Sequence, residues 1–197
     1  MKHALVNDYE KLGKHIVMYG RKFGEVVDVL KPSKEIHLKK VEKVAEEKMD
    51  NKVEIQKLIE ARKLSTSDEY TIFEDALNAL QGKISIDDVS DICRAFYDDT
   101  QDDEMMFGII HLIEKLCGKD YLKEIAICTP AMKDAHNWAM ILNKRIINSQ
   151  EYFAMYIEVI RSLESESKNK IVGLLNDVKN DNPNRFSEKI EYLNSVI

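Results

Sequence analysis

Only seven glycines and three prolines interrupt the 197 residues of this chain. A β-sandwich or barrel turns about every 8 to 12 residues and needs many more turn residues than that, so the chain is restricted to long elements with few breaks. The apolar residues choose helices. Phe73, Leu77 and Leu80 recur at three- and four-residue steps, as do Met105, Met106, Ile109, Ile110, Ile113 and Leu116, and Trp138, Ala139, Leu142 and Ile146. That is the period of an amphipathic helix, and no run alternates as a half-buried strand would. The expected fold class is all-α: an irregular HEAT-like stack of antiparallel helices, eight or nine of them, joined by turns of about 2 to 6 residues.

Capping residues divide the chain further. Ser67, followed by Asp68 and Glu69, is expected to cap a helix whose buried face includes Tyr70. Ser85 and Asp88 have capping-box spacing ahead of Val89, Ile92, Cys93 and Phe96. Gly82 and Gly118 read as helix stops. Thr129 and Pro130 read as the N-cap and first residue of the Trp138 helix, and Ser149 and Ser187 as caps of two later ones. Residues 2–29 suggest a helix broken at Gly13, Gly20 and Gly24, and residues 34–63 a long charged helix. These divisions suggest an N-terminal helical extension over residues 1–67, packed on a main helical domain over residues 68–197.

Charge is distributed unevenly. From Asp68 to Glu104 there are twelve acidic residues against two basic ones, Lys83 and Arg94, a net of −10 where the whole chain carries −6. The densest part, FYDDTQDDEMMFGIIHLIE over residues 96–114, runs directly into an apolar-periodic helix. Capping accounts for Asp102, Asp103 and Glu104 at that helix start, but not for Asp87, Asp88, Asp98 and Asp99 nearby. An imbalance of this kind bears on partners, and it favours a basic protein surface over nucleic acid. The most basic stretch, Lys31 to Lys63, interleaves ten basic with seven acidic residues and reads as a solvated helix face.

Enzyme and metal signals are sparse. An EF-hand loop starting at Asp98 would lack the required glycine at position 6 and would place Ile109 at position 12. His111 and Glu114 have the three-residue separation used in carboxylate-bridged metal bundles, but the motif occurs once where such sites need it twice. A metal-dependent enzyme using His111, Glu114 and nearby Asp stays open as the alternative, with His111 otherwise expected in a structural, hydrogen-bonded place. No phosphate loop, dinucleotide fingerprint or nucleophile elbow is present, and no cofactor is implied. Cys93, Cys117 and Cys128 form no metal-spaced set and are expected to be buried, reduced thiols. No run is apolar and long enough to span a bilayer and no signal-peptide core opens the chain, so a cytoplasmic protein is expected.

Two segments carry a resemblance. The acidic turn reads D-D-T-x-x-x-E-x-M-F-x-x-I-H-x-I-E through Asp98, Asp99, Thr100, Glu104, Met106, Phe107, Ile110, His111, Ile113 and Glu114. Downstream, W-x-x-x-L-x-x-R-I-x-N runs through Trp138, Leu142, Arg145, Ile146 and Asn148. Together they resemble the bacterial immunity proteins of polymorphic toxin systems, specifically immunity protein family 30, over about residues 70–165. The resemblance implies a non-catalytic antidote that binds the C-terminal domain of a cognate secreted or contact-delivered toxin, a basic protein and in many systems a nuclease. On that reading Asp87, Asp88, Asp98, Asp99, Asp102, Asp103 and Glu104 face the toxin, and Met105, Met106, Ile109, Ile113 and Trp138 are structural. A HEAT-like adaptor for another basic protein is the third reading.

Overall fold

The computed structural model describes residues 50–197, all of which fall within one compact unit. The helices expected over residues 2–29 and 34–49 lie outside the described residues. Among those described there are helices and turns and no strand. We number the helices α1 (residues 50–61), α2 (Ser67–Ala79), α3 (Val89–Cys93), α4 (Asp103–Ile113), α5 (Lys119–Cys128), α6 (His136–Asn148), α7 (Gln150–Ser162), α8 (Ser165–Asp181) and α9 (Pro183–Val196). The all-α expectation holds.

Side-chain ties fix the direction of each helix. Lys63 O accepts from Gln101 N before α2 and α4 begin, and Lys115 Nζ reaches Gln81 Oε1 after they end. The ties advance in the same sense along both helices, so α2 and α4 run parallel. The same holds for α4 and α6, joined from Asp98 to Asn137 and from Glu114 to Arg145. It holds for α1 and α3 through Asn51–Asp88 and Arg62–Arg94, and for α7 and α9 through Phe153–Lys189 and Arg161–Val196. Sequential neighbours reverse: Asn176–Asn194 and Lys179–Glu191 pair α8 antiparallel with α9. Among the pairs so joined, alternate helices share a direction and the consecutive pair α8–α9 opposes it, as in stacked helical hairpins.

One apolar cluster runs through the stack, from Ile55, Leu58 and Leu64 through Phe73, Met106, Ile110, Leu122 and Tyr156 to Leu175 and Leu193. Residues of α1 are thus core of the same unit, which begins ahead of position 68. Leu64 holds a left-handed backbone, φ 54°, where glycine is the usual residue, while its side chain stays buried in the cluster. Gly82 (φ 72°) follows the end of α2 as expected, whereas α4 ends earlier, at Ile113 with Glu114 as its C-cap, and Gly118 (φ 92°) is the N-cap of α5.

Several local expectations need correction. Thr66, not Ser67, caps α2, its side chain accepting from Glu69 N, and Tyr70 is 39% exposed. Thr129–Ala131 forms only a 3-10 turn, and α6 starts at His136 with Ala135 as its N-cap. Proline at position 130 suits any first helical turn, so the signal was right for a turn and wrong for its length. Ser187 lies inside α9, which starts at Pro183 after Asn182. Cys117 is exposed rather than buried.

Candidate functional site

Residues 94–102 cross one end of the stack as a strap between the lead-in to α2 and the lead-in to α6. Because α2, α4 and α6 are parallel, their N-termini gather at this end. Each N-terminus leaves backbone N–H groups without helical partners and carries a partial positive charge. Carboxylates answer both needs. Asp102 accepts from Glu104 N at 2.8 Å and Met105 N at 3.3 Å, capping α4. Asp98 caps α6 from forty residues away, accepting from Asn137 N at 3.0 Å and Trp138 N at 3.3 Å.

Arg62 clamps the strap. Its guanidinium donates to the carbonyls of Arg94 (2.9 Å) and Phe96, pairs with the carboxylate of Asp134, and lies 4.9 Å from the centre of the Tyr97 ring. Trp138 completes the fixation. Its indole donates to Tyr97 O at 3.1 Å, stacks on Phe96 at 5.8 Å and meets the edge of Phe107 at 5.2 Å and 80°. Sequence reading missed Arg62, since it stood within a mixed-charge helix and no local spacing distinguishes a clamp from a solvated arginine.

The seven residues expected to face a toxin divide into three groups. Asp88 is 6% exposed and accepts from Ser85 N at 2.8 Å, Ser85 Oγ at 3.0 Å and Asn51 Nδ2 at 3.4 Å. Its carboxylate closes the capping box ahead of α3 and is turned inward. Asp87 is exposed beside it, but this group adjoins Lys83, beyond the C-terminal end of α2. Asp98 to Glu104 adjoin Lys63, at the other end of that 13-residue helix, a separation of about 20 Å. The structure does not bring the two groups to one edge. At the strap end Asp98 and Asp102 are half-buried caps, whereas Asp99, Asp103 and Glu104 are exposed and their carboxylates carry no hydrogen bond or ion pair among the described residues. Asp68, exposed in the first turn of α2, joins them at that end. Phe107, 38% exposed, adds an apolar edge one turn into α4.

His111 is exposed, not buried in the stack, and Glu114 gives both oxygens to Arg145 at 2.6 and 2.7 Å. Among the described residues no group of three or more His, Cys, Asp or Glu side chains is disposed to hold a metal ion. Glu114 and Arg145 close the far end of the α4–α6 seam that Asp98 and Trp138 close at the near end.

Both segments read from the sequence are therefore the two sides of one seam. Residues 60–156 match the Immunity protein 30 family. No match to a curated protein or to a solved structure accompanies it. The Immunity protein 30 match supports an immunity-protein role, hence binding to a cognate toxin. It begins ten residues before the stretch expected from the two segments, and so takes in Arg62. Among the described residues no helix is long and apolar enough to cross a membrane.

Proposed function

We propose that the protein neutralises a basic toxin domain, a nuclease in the simplest case, by presenting the strap end of the stack to it. Asp99, Asp103 and Glu104 are the toxin-facing charges, with Asp68 beside them. Asp98 and Asp102 act indirectly, holding the helix ends from which the others project. The observation that carries this reading is the concentration of exposed carboxylates, without partners among the described residues, on and beside a strap fixed by Arg62, Trp138 and two caps. A fixed array of charge attracts an oppositely charged partner without the ordering cost that a flexible loop would incur. It speeds encounter and loses that advantage as salt rises. Asp87 lies too far along the stack to share the contact, and Asp88 is internal.

The test is association of the full chain with the toxin domain encoded beside it, followed across a salt series. Replacing Asp99, Asp103 and Glu104 with Lys is expected to slow association on the order of 10-fold or more at low salt, with smaller differences at high salt. Circular dichroism should be unchanged, because none of the three is a cap. Association that keeps the parent rate and salt dependence would show that these charges only keep the protein soluble. The placement of Glu114, saturated by Arg145, gives the metal-dependent reading no support of its own.

A further inference from the structure

Cys93 ends α3 and Cys128 ends α5, and their sulfurs lie 3.0 Å apart, with Cys128 donating to Cys93. Carbon atoms in ordinary contact stand about 3.5 to 4.0 Å apart, so the two thiols are already inside packing distance. Both are buried, at 2% and 6% exposure, yet both line a cleft of about 480 Å³ together with Arg62, Met132 and Asp134. The cleft gives a small molecule a route to sulfurs that the rest of the core encloses. Nothing in the recognition surface uses them.

We propose that Cys93 and Cys128 are a dithiol modification site that closes to a disulfide when hydrogen peroxide enters the cleft. The sulfur of Cys128, the more accessible, attacks a peroxide oxygen; the O–O bond breaks, a sulfenic acid forms and water leaves. Cys93 then attacks the sulfenic sulfur, the S–S bond forms and the S–O bond breaks, releasing a second water. Each thiol gives up its proton to a departing oxygen, and the two electrons lost by sulfur reduce one peroxide. The sulfurs must approach by only about 1 Å to reach bonding distance. Burial and the neighbouring thiol hold the Cys93 proton well above its ordinary range, so the reaction is slow and gains rate with pH. The bridge would close residues 93–128 into a loop containing the whole strap and α4.

The experiment treats the full chain, with exposed Cys117 replaced by Ser, with hydrogen peroxide at mildly alkaline pH. The expected product has lost two hydrogens by intact mass, shows no free thiol on unfolding, and yields a peptide joining Cys93 to Cys128. Its thermal midpoint should rise on the order of 10 °C over the reduced form, from the restriction of the unfolded chain. Under the same conditions the parent chain should show the same Cys93–Cys128 bridge, with exposed Cys117 oxidised separately. Oxygen adducts on the two sulfurs without a bridge, bridges confined to Cys117, or unreacted thiols after prolonged treatment would each overturn the proposal.

Discussion

The carboxylate of Asp98 accepts from two backbone N–H groups at the start of α6, and the same residue's N–H donates to Asp134 O. Replacing it with Ala leaves those donors without their cap, and the expected loss is about 1–2 kcal/mol in urea unfolding. Asp99→Ala, one position on, should stay within about 0.5 kcal/mol. The contrast between adjacent aspartates checks the division between positioning and presentation. A second residue-scale case is buried: Tyr156 donates to Asn143 Oδ1 at 2.8 Å, while Asn143 donates to Thr129 Oγ1 and Ala139 O. Tyr156→Phe orphans the Asn143 carbonyl and should cost about 1–2 kcal/mol. Burial suppresses the ionisation of Tyr156, pushing it well above the ordinary tyrosine range, with nearby Cys128 and Tyr121 opposing a further negative charge. A phenol harder to ionise folded than unfolded leaves the fold at full strength below the ordinary range of about 10 and weakens it above that. Stability should therefore fall more steeply beyond pH 10 for the parent than for the Phe variant, measured by chemical unfolding across alkaline buffers.

Between elements, α2 and α4 approach closely at Gly108. A Cβ on Gly108 would lie 2.6 Å from Leu77 Cδ2, and Leu77 is a buried side chain with little room to turn. Gly108→Val is expected to cost about 1–3 kcal/mol, seen as a lower midpoint with unchanged helix content. Helix identity at this scale was legible, because three- and four-residue apolar steps survive whatever the helices pack against. Helix starts were less so. Thr66, Ser67 and Asp68 are three consecutive residues able to cap, and which one does depends on the angle at which α2 leaves Leu64. Thr129–Pro130 likewise marks a turn without saying that the chain bends again before His136. The Asp98–Trp138 and Glu114–Arg145 ties could not be foreseen by spacing, since they join segments more than thirty residues apart.

Taken whole, the acidic surplus has two origins that composition merges. Glu69, Asp88, Asp98 and Asp102 serve backbone N–H groups within the stack, and Asp99, Asp103 and Glu104 do not. The Asp99, Asp103 and Glu104→Lys variant should accordingly melt within a few degrees of the parent. Arg62→Ala, which frees the strap from Arg94, Phe96 and Asp134, should lose about 1–3 kcal/mol by urea unfolding, and toxin association should weaken with no charge removed from the acidic end. Sequence reading grouped Asp87 and Asp88 with the strap carboxylates, from which the fold separates them, because nearness along the chain does not reveal which end of a short helix faces which way.

The long-range ties among α4 to α9 mostly join second or third neighbours, 31 to 42 residues apart, as in Glu114–Arg145, Lys144–Asp181 and Ile147–Lys189. Arg62–Asp134, at 72 residues, skips further. Ties of this kind make each helix depend on those it skips, so opening proceeds in steps. Amide exchange should be fastest in α9 and the end of α8, intermediate in α7, and slowest in α4 and α6, where the Arg62 clamp and the Trp138 seam make separate opening costly. The rigid end would then be the one bearing the exposed carboxylates, and a protease would trim α9 and the end of α8 while those carboxylates stayed in place.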